Sequence, residues 1–434
     1  MDIHNLISLA GVFLLAICCW LVSTNRRLIN WHAVIGGIAI QMLIGLLVFR
    51  MSLGIRAFYL INDGLVAILE RASEGARFVF GPLAIPAGKP GSIGFILAFQ
   101  GFPSIIFFSA LIAVLYYIGL MQLIIRGFAY CFSRLLRVSG AESLVAASNI
   151  FVGVESVLTV RPYLADMTCS ELCTVLTAGM ATVASNVLAI YVVTLKDQFP
   201  AIAGHLVSAS LLSAPAAIVT SKLIWPEDGK PSTLGRQARP FVSEHNGLFE
   251  SIISGSNAGL RMVAGIVAML VAILGLVALV DLGLERIGSL VNRVLETKGT
   301  WSLRGLSGYL FYPFTVIIGV PLSDAWQISQ IIGQRLIVTE VPAYQDLASA
   351  LSSGRLHWPH RSAVIATYAL CGFAHLASVA IFAGGVAAVA PGRTSDLARV
   401  AFRALVAATM ACLMTAAVAG TFFAGGSILF DNLK

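Results

Sequence analysis

Ionisable residues and helix-interrupting Gly and Pro sit inside membrane-grade apolar sequence at two separate places in this chain. The first is Asn149-Ile-Phe-Val-Gly-Val-Glu155, running on through Arg161 and Pro162. The second is Gly319-Val-Pro321-Leu-Ser-Asp324, running on to Thr339-Glu340-Val-Pro342. Ionisable groups at membrane depth are costly and mark a solute or ion pathway. Interrupted backbone survives in a bilayer only where protein or a water-filled cavity covers it. Two such segments in separate halves of a polytopic chain predict a secondary transporter with its site near the bilayer midplane.

Composition supports the membrane setting. Only 11% of the 434 residues are charged and 58% are apolar, whereas soluble domains carry roughly 25% charged residues. The start, Met1 to Leu6, has no basic region, so Leu6 to Val22 reads as a retained first span. Spans of about 20 apolar residues are expected at 6–22, 33–49, 102–125, 173–195, 202–224, 258–282, 363–390 and 400–424. The interrupted stretches 141–165 and 307–347 read as re-entrant hairpins. The fold class expected is therefore all-α: eight transmembrane helices, two re-entrant hairpins and interfacial helices.

Four basic clusters then fall on one side of the membrane: Arg26 and Arg27; Arg126, Arg134 and Arg137; Lys222, Lys230, Arg236 and Arg239; Arg393, Arg399 and Arg403. The positive-inside rule makes that side cytoplasmic and both termini periplasmic. The net charge of +7 is thus assigned to topology, with no nucleic-acid partner. Residues 56–80 mix Arg56, Asp63, Glu70, Arg71, Glu74 and Arg77 with apolar positions, as an amphipathic interfacial helix does. Gly81 to Gly91 reads as a loop, and 226–246 as a polar cytoplasmic linker. The expected divisions are 1–100 as an N-terminal scaffold with spans one and two, 101–225, the linker, and 247–434. Each half past residue 100 holds a hairpin followed by a long span, an arrangement that points to an inverted repeat.

Several side chains carry candidate chemistry. Glu155 follows Gly153 at the first hairpin tip, as a ligand contact, a proton carrier or a partner of Arg161. Glu340 follows Thr339 in the second hairpin and reads as a ligand group. Asp324 is either a cavity-facing acid or a helix cap. His375 and Ser378 lie three apart on one helix face, and His375 can titrate near neutral pH. Thr182, Ser185 and Asn186 are either helix–helix glue or flank an unwound segment whose carbonyls bind an ion. The seven cysteines lack metal-site spacing and read as apolar fillers. With no H-E-x-x-H motif and no well-placed catalytic Ser and His pair, an enzyme is not expected.

Asn149-Ile-Phe-Val-Gly153 with Glu155 and Val160-Arg-Pro-Tyr163 resembles the concentrative nucleoside transporter family, the bacterial type with eight spans. So do Phe102-Pro-Ser-Ile-Ile-Phe-Phe-Ser109, Leu115 to Gln122, Ser139-Gly-Ala-Glu142-Ser-Leu144, Ala369 to Ala374, and Gly384-Gly385. The resemblance covers nearly the whole chain in order. It implies a homotrimer in the bacterial inner membrane, among lipid, that imports nucleosides by an elevator movement driven by Na+ or H+, with no other cofactor. It implies that Val154 and Glu155 face the nucleobase, that Val187 and Phe373 pack near it, and that Glu340, His375 and Ser378 face the ribose. It implies a Na+ site at Asn149, Val152, Thr182 and Val183.

The departures are local. The family's hairpin tip reads G-Q-[TS]-E-x-P, whereas Gly153-Val154-Glu155-Ser156-Val157 is one residue shorter and lacks Gln and Pro. Val154 offers no side-chain donor or acceptor, and a missing base-edge contact is worth about 1–3 kcal/mol. His375 replaces the family's Asn. Leu322-Ser-Asp324 stands where W-N-E is usual, Thr339-Glu340 where N-E is usual, and Ser185-Asn186 where G-[SG] is usual. These changes point to a substrate that departs from ordinary nucleosides, with a nucleoside as the family default and a non-nucleoside polar metabolite, or a non-transporting ligand-binding relative, as the alternatives.

Overall fold

The computed structural model describes residues 2–85, 89–241, 247–295 and 301–424. Part of the expected loop (86–88) and the end of the expected linker (242–246) lie outside them. Among the described residues all regular structure is helical. The N-terminal third forms α1 (Ile3–Leu21), α2 (Trp31–Arg50), α3 (Ser52–Phe80), the single turn α4 (Leu97–Gln100), α5 (Phe102–Tyr117) and α6 (Leu120–Leu136). The Asn30 side chain caps α2 by accepting from Ala33 N at 3.2 Å. In α3 the six charged side chains are exposed while Phe58, Tyr59, Leu69, Ala72 and Ala76 are buried, so the expected helix is present and amphipathic.

The expected span 102–125 is two elements. Helix α5 opens on Phe102-Pro103, where a proline costs no helical hydrogen bond, and stops before Gly119, whose φ of 83° suits glycine. The amphipathic α6 follows, burying Met121, Ile125, Phe132 and Leu136 and exposing Arg126 and Arg134.

Hairpin 1 consists of α7 (Gly140–Ser148), a tip, the short α8 (Ser156–Thr159) and a turn at Arg161–Asp166. Then come α9 (Cys169–Ala181), α10 (Ser185–Leu195) and α11 (Ile202–Ile224), so the expected span 173–195 is one helix broken at residues 182–184. The second half begins with the long α12 (Leu248–Leu295) and α13 (Leu303–Ile317). Hairpin 2 is α14 (Leu322–Ile337) and α15 (Glu340–Ser352), shifted from the expected 307–347. Residues 307–317 belong to α13, and the chain turns only at Gly319, whose φ is 92°. The expected span 363–390 is likewise broken, into α16 (Pro359–Leu370) and α17 (Leu376–Val389), and α18 (Thr394–Phe422) completes the fold.

The series α5 to α11 thus recurs in α12 to α18: apolar span, amphipathic helix, hairpin, broken helix, long helix. The packing repeats with it. Helix α5 lies on α12 and α11 lies on α18; α10 meets α15 as α17 meets α8. Gly255 and Gly259, one turn apart, let α12 approach α5 closely. A Cβ on Gly255 would lie 2.7 Å from Ala113 Cβ, and one on Gly259 would lie 2.8 Å from Ile106 Cα. Helices α1 and α2 pack on α18 and α11.

Both hairpins are fastened at their bases. In α7, the Glu142 carboxylate pairs with Lys222 of α11 at 2.5 Å and accepts from Thr174 Oγ1 at 2.8 Å, while Lys222 also donates to Ser170 Oγ at 2.8 Å. In α14, at the corresponding third helical position, Asp324 accepts from Ser362 Oγ at 2.6 Å and from the backbone N–H groups of His357 and Trp358 at 2.9 Å. Asp324 therefore ties hairpin 2 to α16. Arg361 bonds Gly319 O, Asn5 Oδ1 and His4 O at 2.7–2.9 Å, fixing the same base to α1. The linker straps hairpin 1 from outside, through Gly140 N to Thr233 O at 3.1 Å and Phe241 N to Thr159 O at 2.8 Å. The bases are tied to neighbouring helices, and the two tips face the two helix breaks.

Candidate functional site

At the tip of hairpin 2 the chain is extended at Thr339 and enters α15 at Glu340, which is 3% exposed. Glu340 Oε1 accepts from Tyr191 OH of α10 at 2.6 Å. Tyr191 is held flat against Tyr344, with ring centroids 4.5 Å apart, and Tyr344 OH donates to Thr367 O at 3.0 Å. One carboxylate oxygen is thus fixed. The other, Oε2, has no hydrogen-bond partner and lies 3.5 Å from His375 Nε2. A buried acceptor left open in this way is costly unless something else fills it.

His375 was expected inside a continuous span. It instead ends the break 371–375 and caps α17. Its Nδ1 accepts from Ser378 N at 3.2 Å, and Ser378 Oγ donates to His375 O at 2.6 Å. With Nδ1 used as an acceptor, a neutral ring carries its proton on Nε2, the nitrogen aimed at Glu340. Phe373 packs against both apolar cores, with its ring 6.4 Å from that of His375.

The hairpin 1 residues are placed differently. Val154 packs on α17, where a Cβ on Gly385 would lie 2.6 Å from Val154 Cγ2. Glu155 is exposed and opens into a cavity of about 660 Å³ between the hairpin, α5 and α12, shared with Ser109, Tyr116, Gln122 and Asn186. Among the described residues Glu155 forms no ion pair with Arg161, whose guanidinium lies 5.7 Å from the centre of the Phe241 ring. Val187 is buried on α10, one turn before Tyr191 and on the same helix face. The structure therefore gathers Glu340, His375, Ser378 and Phe373, with Val187 lying along α10. It sets Glu155 in the cavity beside α5 and α12, whose lining includes none of those four residues. Tyr191 was missed; its four-residue spacing from Val187 was the available signal.

Asn149, Val152, Thr182 and Val183 are all buried. Asn149 Nδ2 donates to Val145 O at 3.0 Å, which leaves Oδ1 buried and without a hydrogen-bond partner; Ser156 Oγ is in the same condition. Ser185 N donates to Phe151 O at 3.1 Å, joining the hairpin tip to the break after α9. These amide, hydroxyl and carbonyl oxygens are neutral donors of the kind a hard monovalent cation takes. Among the described residues no cluster of three or more His, Cys, Asp or Glu side chains accompanies them.

Three family profiles match in chain order. Residues 10–83 and 205–420 match the N- and C-terminal parts of a Na+ dependent nucleoside transporter, and residues 98–198 match a gate described as nucleoside recognition. The mouse solute carrier family 28 member 3 is 37% identical over 430 residues, covering 96% of this chain. This chain spans 59% of that relative's length. An uncharacterized transporter of Haemophilus influenzae is 35% identical, with 97% of this chain and 98% of the relative covered. Among solved structures, CNTnw in an inward-facing substrate-bound state superposes with a TM-score of 0.86 at 33% identity, over 96% of this chain and 98% of that one. A single-substitution variant of that protein in an intermediate state gives a TM-score of 0.88 over 98% of this chain and 100% of that one. The repeated halves, the two hairpins facing two helix breaks, and a likeness that runs the length of the chain agree: this chain belongs to the concentrative nucleoside transporter family.

Proposed function

We propose that this protein is a cation-coupled symporter that brings nucleosides, or a nucleoside-like solute, inward across the bacterial inner membrane. The observation that carries this reading is the Glu340 carboxylate, with one oxygen anchored by Tyr191 and the other open toward His375. A vicinal diol matches that pair, because one hydroxyl donates to Glu340 Oε2 while the other accepts from His375 Nε2–H. Val187 and Phe373 supply apolar surface for the base. Glu155 approaches the base edge from the cavity side, and Val154 adds packing only. Asn149, Val152, Thr182 and Val183 hold Na+, with Ser156 Oγ as a further ligand. The protein works as a homotrimer among membrane lipids with both termini periplasmic, and it is a carrier rather than an enzyme. Two hairpins fastened at their bases, the first of them facing a cavity along α5 and α12, suit an elevator movement of the hairpin body against those two helices.

Ligand stabilisation tests this reading on purified protein. Uridine or adenosine is expected to raise the melting temperature in NaCl more than in KCl, because saturating ligand at 100 times Kd adds about 2.7 kcal/mol. No stabilisation by any nucleoside in either salt contradicts it. Asn149→Ala removes the open amide oxygen. It is expected to weaken half-saturation by Na+ roughly tenfold, equivalent to about 1.4 kcal/mol, and Na+-dependent uptake reads the change. His375→Asn returns the family's usual residue. It is expected to shift competition by ordinary nucleosides by about 1 kcal/mol, and an unchanged competition profile removes His375 from the site.

A further inference from the structure

Each hairpin meets a helix break, but the two meeting points differ in charge. At hairpin 1 the oxygens near the break are neutral, and Asn149 Oδ1 is open. At hairpin 2 the chain brings its own cation. Arg335 lies in the last turn of α14, one turn before the tip, and is fully buried. Its Nη1 donates to Ala369 O at 2.5 Å, in the last turn of α16 before the break. Its Nε and Nη2 meet no oxygen or nitrogen acceptor, the Cys412 thiol being the side chain that borders the guanidinium, and among the described residues it forms no ion pair. A buried unpaired charge is normally strongly destabilising. Here it sits at the negative end of α16, where carbonyls lose their helical partners.

The internal repeat gives this placement a counterpart. Asn149 also lies at the end of its hairpin's first leg, just before the tip. The two breaks are back to back on α18, where Cys412 Sγ is 3.7 Å from Ala181 O and 3.5 Å from Cys371 O. We propose that the Arg335 guanidinium is a tethered cation that fills, at hairpin 2, the place a mobile Na+ fills at hairpin 1. One Na+ therefore accompanies each substrate molecule. Arg335 also supplies a fixed positive charge near Glu340 and His375, so the substrate half of the site needs no second ion. This inference rests on the proposed Na+ site at hairpin 1.

The test compares wild type, Arg335→Lys and Arg335→Ser in proteoliposomes, measuring labelled Na+ and labelled uridine fluxes together. The expected result is one Na+ per uridine in the wild type and in Arg335→Lys. Arg335→Ser is expected to lose uptake by roughly tenfold or more, and millimolar guanidinium, but not tetramethylammonium, is expected to restore it. A wild-type ratio of two Na+ overturns the proposal, as does Arg335→Ser protein with unaltered uptake and ratio. Should Arg335→Ser fail to fold, the wild-type and Arg335→Lys ratios decide. Should the wild type carry no nucleoside with any gradient, the transport reading fails separately. The tethered cation is then judged by melting temperature: a rise of Arg335→Ser with guanidinium alone supports it, and no rise overturns it.

Discussion

Glu340→Gln is expected to abolish concentrative uptake while leaving the folded protein intact. The carboxylate holds Tyr191 through one oxygen and leaves the other open toward His375. The amide keeps one acceptor but places an NH2 where an acceptor is needed, so either Tyr191 or the ligand hydroxyl loses its partner. A hydrogen bond to a charged group is worth about 1.5–3 kcal/mol, or roughly 10- to 150-fold in affinity. Uridine uptake together with melting temperature measures the effect. Near-wild-type uptake by Glu340→Gln removes the carboxylate from the site. Tyr191→Phe provides a graded control, since it leaves the charge but frees the carboxylate to move.

Lys222→Met is expected to produce the largest loss of stability. Lys222 is 3% exposed and Glu142 is 1% exposed, with Nζ 2.5 Å from Oε1. Removing the cation strands the Glu142 carboxylate in the interior, with Thr174 Oγ1 as its remaining side-chain donor to Oε1. Breaking one side of a buried pair costs about 3–5 kcal/mol. Thermal unfolding in detergent reads this directly. Combining Lys222→Met with Glu142→Gln is expected to recover much of the loss, because the stranded charge is gone. A melting temperature unchanged by Lys222→Met alone contradicts the view that this pair fastens hairpin 1 to α11.

Much of the architecture was legible because the bilayer permits few solutions. Apolar length located the spans, the charged stripe located α3, and Gly153 with Glu155 located the first hairpin. The bounds of hairpin 2 were not legible. Apolar residues 307–317 continue as helix in α13, and the turn is decided by Gly319 lying against Ser8 and Arg361, which are remote in sequence. The break after α16 was hidden for a similar reason. Cys371 to Ala374 are mostly apolar, and the unwinding reflects close approach: a Cβ on Gly372 would lie 2.6 Å from Cys412 Sγ and 2.7 Å from Ala181 O. No helical period encodes such a contact. Glu340 and His375 stood out as ionisable groups in apolar surroundings. Tyr191 and Arg335 read as ordinary residues in helical stretches, and only the juxtaposition of α10, α14, α15 and the break gives them roles. Asp324 was open between cavity acid and helix cap; its partners are Ser362 Oγ and backbone N–H groups at the α16 approach, so it holds structure.

The proposed function stands on gradient-driven nucleoside movement through this site. The measurement that tests it most directly is uptake of labelled uridine and adenosine by proteoliposomes under an imposed Na+ gradient, with an imposed proton gradient in parallel. Accumulation above equilibrium is expected with the Na+ gradient, and its loss is expected in Glu340→Gln. Folded protein that accumulates neither nucleoside under either gradient contradicts it.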